Sequence, residues 1–84
     1  MIGFKMYEIV EVQHPTHPRN ETRGVIAGIL AADGEIMGYT VRFADDIEMV
    51  DPEDLEPTGL SITEKDYEHG AWPPAALNGD NSPA

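Results

Sequence analysis

The stretch GVIAGILAADGEIMGYTVRF, residues 24–43, decides the fold of this chain of 84 residues. Asp33-Gly34 lies between two apolar runs, and Asp-Gly is a preferred pair for the two-residue type I′ turn that joins antiparallel strands. Residues 36–43 are apolar at every second position, which predicts a strand with one buried face. The sequence therefore predicts a β-hairpin whose second strand supplies a core set, namely Met37, Tyr39, Val41 and Phe43.

Simple alternation also predicts which side chains of the first strand of this hairpin share a face. It predicts Val25, Ala27 and Ile29 on one face, with Ile26 and Leu30 on the other. Both faces would then carry apolar side chains, as in a strand whose second face is partly covered by other parts of the chain.

Further strands flank the hairpin. Residues 6–12 are rich in β-branched and aromatic residues, which predicts a strand whose neighbours Ile9 and Val10 face opposite ways. Two prolines make residues 13–23 a loop. After a short strand at 47–50, Asp51-Pro52 favours one helical turn that sends Leu55 into the core, before a last extended piece. We expect an all-β fold, a small SH3-like barrel of about five short antiparallel strands.

The C-terminal part is less regular. Ser61-Ile62-Thr63-Glu64 matches a capping box, which predicts either a short helix ending before Gly70 or a simple turn. From Ala71 onward the chain is rich in proline, alanine and asparagine, a composition typical of a flexible tail. We therefore expect one domain over residues 1–70 and a flexible tail over residues 71–84.

The charge balance excludes several kinds of partner. Five Lys and Arg residues stand against sixteen Asp and Glu residues, a formal net charge of −11. Such a surface repels phosphates and anionic headgroups, so we expect no nucleic acid and no membrane as partner. No cysteine is present, and neither a secretory signal nor a membrane-spanning run is recognisable. We expect a cytoplasmic protein that is a monomer or a weak homo-oligomer.

Candidate metal sites have simpler interpretations. His14 and His17 lie three residues apart, but their His-Pro-x-His-Pro pattern matches no metal motif, and we interpret them as exposed loop histidines. Asp33-Gly34-Glu35 and Asp45-Asp46 lack the alternating ligands of a calcium loop and read as turns. We expect no metal and no cofactor.

Catalysis has little support in the sequence. Serine occurs only as Ser61 and Ser82, and no arrangement of a nucleophile with a base is recognisable. Paired carboxylates carry no information in a chain with sixteen acids. We expect a protein that is not an enzyme and has no catalytic residues.

An acidic cluster is the strongest functional signal. Residues 44–57 contain seven acids and no base. They form either a solvated rim or a docking surface that steers a basic partner. Aromatic anchors would be Tyr7, Tyr39 or Trp72, although alternation favours a core position for Tyr39. The candidate contact residues are Asp33 and Glu35 at the hairpin tip, and Asp45, Asp46 and Glu48 at the next turn.

Several short motifs occur together in this chain. They are YEIVEV (7–12), RGVIAG (23–28), DG (33–34), GYTV (38–41), DLEPTG (54–59) and DY (66–67). In this combination, over residues 6–68, the chain resembles the immunity protein 31 family of bacterial polymorphic toxin systems. The resemblance implies a small β-rich protein that binds and neutralises a cognate toxin, and the acidic charge would suit a basic toxin such as a nuclease. The His-Pro loop and the tail depart from the pattern.

A second class of function stays open. SH3-like barrels also serve as intracellular adaptor or regulatory protein-binding modules, and the fold alone does not decide between the two. A toxin inhibitor should bind one partner very tightly, whereas an adaptor should bind several peptides at about micromolar affinity.

Overall fold

The fold is a single antiparallel sheet, seen in a computed structural model that describes residues 3–78. The strands are β1 (Glu8–Val12), β2 (Arg23–Ala32), β3 (Glu35–Arg42), β4 (Ile47–Val50) and β5 (Leu55–Ser61). Residues 3–78 also contain one helix, α1 (Glu64–His69), and two single 3-10 turns, Pro52–Asp54 and Ala75–Asn78. The sheet order is β4-β3-β2-β1-β5, which confirms the predicted all-β class.

The connection between β4 and β5 has the predicted helical turn, although the Asp51 side chain makes no capping hydrogen bond. Pro52 opens the 3-10 turn after Asp51, and Leu55 is buried directly behind it. The barrel, however, is not closed: β4 and β5 lie at opposite edges of the sheet, and no ladder joins them within residues 3–78. The protein therefore has the predicted number of strands and the predicted helical turn before the last strand, but it is not a closed barrel. A β4 of only four residues offers little edge for closure, and Pro57 in β5 has no N–H to donate.

The turn of the β2–β3 hairpin has the predicted geometry. Asp33 and Gly34 both have positive φ, +54° and +81°, as the type I′ turn requires at its two central positions. Ala32 pairs with Glu35 directly across this turn. The hairpin prediction is confirmed.

Met37 is the extra residue of a β-bulge. Leu30 pairs with Gly38, but Ala31 pairs with Ile36, so one residue of β3 has no partner in β2. Ile36 consequently packs against the core, while Met37 is 54% exposed. The prediction that Met37 belongs to the core is wrong, because strict alternation assumes that no residue is skipped.

A second bulge lies in β2, at Ala27. The pairing with β3 skips this residue between Ile26 and Gly28, so the alternation starts again after it. Val25 and Ile29 therefore face opposite sides of the sheet. Their predicted grouping on one face is wrong for the same physical reason as at Met37.

Two apolar clusters lie on the two sides of the sheet. The inner cluster is formed by Val10, Val12, Ile26, Tyr39, Val41, Phe43, Val50 and Leu55, with Phe4 and Ile36 against it. The outer cluster is formed by Ile9, Val25 and Leu77, with Tyr7, Leu60, Ile62, Tyr67, Trp72 and Ala76. The core positions of Tyr39, Val41 and Phe43 are thus confirmed, as are the opposite orientations of Ile9 and Val10.

The C-terminal segment covers part of the outer side. Thr63 caps α1 by accepting a hydrogen bond from the Asp66 N–H at 3.0 Å, so residues 64–69 form the helix and the cap is Thr63 instead of Ser61. Beyond it, Trp72 and Leu77 pack into the outer cluster. Side chains beyond residue 70, the predicted end of the domain, therefore also pack on the apolar outer face of the sheet. Residues 79–84 of the predicted tail lie outside the described residues.

No helix within residues 3–78 is long and apolar enough to cross a membrane.

Candidate protein-docking surface

Arg19 organises the turn between β3 and β4. Its Nε donates a hydrogen bond to Glu48 Oε2 and its Nη1 donates one to Asp45 Oδ1, both at 2.8 Å. The guanidinium carbon also lies 4.8 Å from the centre of the Phe43 ring, within cation–π range. Two of the predicted contact residues, Asp45 and Glu48, therefore already share an internal counter-ion.

These ion pairs shift the protonation equilibria of the groups involved. The hydrogen bond from Arg19 lowers the pKa of the Asp45 carboxyl below its ordinary value, and the hydrogen bonds to Glu48 and Asp45 raise the pKa of Arg19. Asp45 nevertheless remains largely exposed, so a partner can still reach its carboxylate.

The His-Pro loop holds Arg19 in place. His17 Nδ1 accepts a hydrogen bond from the Arg19 N–H at 2.9 Å, and the His14 N–H donates one to Asn20 Oδ1 at 2.9 Å. Both histidines are less exposed than predicted, although 45% of the His14 side chain remains exposed, and the Nδ1 atom of each ring makes a hydrogen bond within the loop. No group of three or more metal-ligating side chains occurs within residues 3–78.

Asp46 lies beside Asp45 on the same turn. Its Oδ1 accepts a hydrogen bond from the Ile47 N–H at 2.8 Å, and its side chain is exposed. Asp45, Asp46 and Glu48 are therefore together, and we call these three residues the turn site.

The other two predicted contact residues lie elsewhere. Asp33 and Glu35 are both exposed at the tip of the β2–β3 hairpin, and we call this pair the tip site. The seven residue steps from Glu35 to Arg42 along β3, at about 3.3 Å each, separate the two sites by roughly 20 Å. The five residues thus form two acidic sites at opposite ends of β3, and no single patch.

The three candidate aromatic anchors have different positions. Tyr39 is buried, and its hydroxyl accepts a hydrogen bond from the Phe4 N–H at 2.9 Å, so it is a core residue as alternation favoured. Tyr7 packs on Tyr67, with ring centres 5.2 Å apart, and desolvation, followed by nearby acids, raises its pKa. Trp72 alone stands next to the turn site.

An open cleft separates Trp72 from the turn site. It has a volume of about 350 Å³ and is lined by Trp72, Arg42, Asp45, Asp46 and Ile47, among others. The guanidinium of Arg42 lies 3.9 Å from the Trp72 ring centre and forms one wall. An aromatic wall, two carboxylates and an exposed aliphatic side chain suit a projecting side chain of another protein.

Sequence reasoning missed two features of this surface. Arg19 is 26 residues from Asp45 and 29 from Glu48, a separation across which no local pattern operates. Exposed apolar side chains of β2 and β4, such as Leu30 and Met49, were also missed. Alternation is the signal that could have found them, but a bulge interrupts it in β2, and both faces of β4 carry apolar residues.

Comparison with known proteins adds no further assignment. Neither a protein-family model nor a curated protein nor a solved structure matches this chain. The resemblance to immunity proteins remains a prediction, and function must be inferred from the surface itself.

Proposed function

We propose that this protein is an immunity protein that binds and neutralises a cognate, basic bacterial toxin domain in the cytoplasm, without enzymatic activity. Binding uses the acidic surface and requires no cofactor. The resemblance of residues 6–68 to the immunity protein 31 family supports this choice among protein-binding functions.

The observation that carries the proposal is the distribution of charge. Three of the five basic residues make contacts within the fold: Arg19 with Asp45 and Glu48, Arg23 with Glu11, and Arg42 with Trp72. Lys5 and Lys65 are the other two, and the formal net charge with all five counted is −11. A basic partner therefore meets a field of one sign, which speeds association and disfavours acidic competitors. Rapid, tight association is what neutralising a toxin inside its own cell demands.

Affinity purification of the tagged protein from its native cells tests the proposal. We expect one stoichiometric, basic partner that withstands a high-salt wash, arrests growth when expressed alone, and is harmless when the two proteins are expressed together. Several weak partners lost at moderate salt would contradict it and would favour the adaptor function.

Neutralising the predicted contact residues tests the acidic surface against that purified partner. The variant carries Asp33→Asn, Glu35→Gln, Asp45→Asn, Asp46→Asn and Glu48→Gln. We expect the dissociation constant to rise by more than about tenfold, because charges opposite a partner act more strongly than distant ones.

The matched control changes net charge by the same amount at exposed acids outside both sites: Glu21→Gln, Glu53→Gln, Glu56→Gln, Glu64→Gln and Glu68→Gln. Equal losses in the two variants would mean that total charge matters and that the turn and tip sites do not. An unchanged dissociation constant in the first variant would reject the five residues as contacts.

A further inference from the structure

Exposed large hydrophobic side chains concentrate on one part of the sheet. Within residues 3–78, six such side chains are at least 40% exposed, and one of them, Met6, precedes β1. The other five lie in β2, β3 or β4: Ile29, Leu30, Met37, Ile47 and Met49.

Three of these side chains share the side of the sheet opposite the inner cluster. In β3, residues 38, 40 and 42 alternate with the buried Tyr39 and Val41 and so face away from that cluster. Directly opposed residues of antiparallel strands point to the same side. The pairs on this side are Leu30 with Gly38, Met49 with Thr40, and Ile47 with Arg42.

Gly38 makes this surface smooth. A Cβ at Gly38 would lie 3.4 Å from both Cγ and Sδ of Met49, so the Met49 side chain extends from β4 over the backbone of β3. Leu30 stands on the other side of Gly38, on β2. We call the surface formed by Leu30, Gly38, Thr40, Ile47 and Met49 the bare face.

The C-terminal segment stops short of the bare face. Trp72 covers Arg42, and the outer cluster lies beyond it toward β1 and β5. Leu30, Ile47 and Met49 remain 49%, 54% and 58% exposed. Ile47 also lines the cleft at Trp72, which makes the bare face continuous with the turn site.

The carboxylates around the bare face indicate that a basic partner would cover it. Asp33 and Glu35 lie at one end of it, and Asp45 and Asp46 lie at the other, beside the cleft that Ile47 also lines. Glu48 pairs with Val41 and so points to the side of the inner cluster. An apolar centre is thus flanked by carboxylates about 20 Å apart. A second copy of the chain would bring another net charge of −11 against these carboxylates, which opposes self-association. Protein interfaces commonly have an apolar centre, often containing methionine, and a polar rim.

We propose that the bare face is the centre of the interface with the basic toxin domain, whose own surface carries an apolar patch flanked by lysine or arginine side chains. This inference rests on the proposed function for the identity of the partner. In this proposal Leu30, Ile47 and Met49 form the centre of the interface. The carboxylates at its ends steer the partner toward the face and orient it there.

Two synthetic peptides probe the face directly. One has a leucine-rich centre with lysines at both ends, and the other has serine in place of leucine at equal length and charge. In amide NMR titrations, we expect the leucine peptide to bind about tenfold more tightly. It should shift the signals of Leu30, Thr40 and Met49. Equal affinities, or shifts confined to the acidic sites, would overturn the proposal.

Matched variants assign the effect to the face. Leu30→Ser combined with Met49→Ser should abolish the preference for the leucine peptide, while circular dichroism stays unchanged because both side chains are exposed. Met6→Ser removes an exposed methionine elsewhere and should leave the preference intact. Self-association of the free protein that the double variant abolishes would assign the face to a second copy and overturn the proposed occupant.

The purified partner separates this inference from the proposed function. If the partner is toxic and the double serine variant neutralises it as well as the unchanged protein does, the bare face is not the binding site, although the protein is an immunity protein. If the partner is harmless but binds the double variant more weakly, and Met6→Ser has no such effect, the protein is not an immunity protein, although the bare face is its binding site.

Discussion

The guanidinium carbon of Arg42 lies 3.9 Å from the centre of the Trp72 ring, which joins β3 to the C-terminal segment. Tyr67 meets the same indole edge-on, with ring centres 5.8 Å apart. Trp72 therefore connects the helix, the segment after it and the sheet, and it marks where the covered part of the outer side ends.

Replacing Trp72 by alanine should destabilise the fold by about 2 kcal/mol, because it removes both the cation–π contact and packing in the outer cluster. The Trp72→Phe variant should lose less unfolding free energy, since an aromatic ring remains over Arg42. Urea unfolding followed by circular dichroism measures both. Met37→Ala, at an exposed bulge position, is the control and should change stability by less than about 0.5 kcal/mol. A Trp72→Ala protein as stable as the control would show that this contact contributes nothing.

Leu77 tests whether the packed unit extends past residue 70. It is buried against Ile9 and Val25, so Leu77→Ala should cost about 2 kcal/mol of unfolding free energy. Leu30→Ala removes the same atoms from an exposed position and should cost much less. Chemical denaturation of the two variants side by side makes the comparison. Equal costs would mean that the packing of Leu77 adds no stability and would support a domain that ends at residue 70.

Local rules explain the parts of the fold that the sequence predicts well. The turn at Asp33-Gly34 and the 3-10 turn at Pro52 depend on the φ preferences of the residues in them. The bulges at Ala27 and Met37 depend on how two strands match each other, which neither strand's own pattern contains. The packing of Trp72 likewise depends on a distant, uncovered sheet face.

The sequence also predicts the candidate site only in part. Composition and charge clustering identify acidic residues near two turns, and the structure does place them at the surface. Their separation into two sites follows from the length of β3. The pairing of Arg19 with Asp45 and Glu48 requires the long loop to fold back on the sheet, which is a tertiary relationship.

Gly24 is required by the close approach of β2 to β3. A Cβ there would lie 3.0 Å from the carbonyl oxygen of Arg42 and 3.1 Å from Cδ1 of Phe43, and would also press on Val41. Gly24→Ala should therefore destabilise the protein by about 1–3 kcal/mol. Gly38→Ala is the matched control, since its nearest new contact would be at an ordinary 3.4 Å. Thermal unfolding of both variants measures the difference, and similar melting temperatures would contradict the steric explanation.

The ion pair between Arg19 and Asp45 should make stability depend on pH in acid solution. The pKa of Asp45 is lowered in the fold from its ordinary value of 3.8. The stabilisation is therefore present above that ordinary value and is lost as the pH falls through the lower, folded pKa. Arg19→Gln should remove this dependence and return the Asp45 pKa toward its ordinary value. Carbon-13 NMR titration of the side-chain carboxyl measures it directly.

Lys65→Gln changes the net charge of the protein by the same amount as Arg19→Gln, but at an exposed position on α1. It should leave the Asp45 pKa close to that of the unchanged protein, because the side chain that lowers this pKa is Arg19 and not Lys65. The difference in stability between the Arg19→Gln and unchanged proteins should shrink as Asp45 becomes protonated. If both variants raised the Asp45 pKa equally, the lowered value would reflect overall charge instead of the hydrogen bond from Arg19.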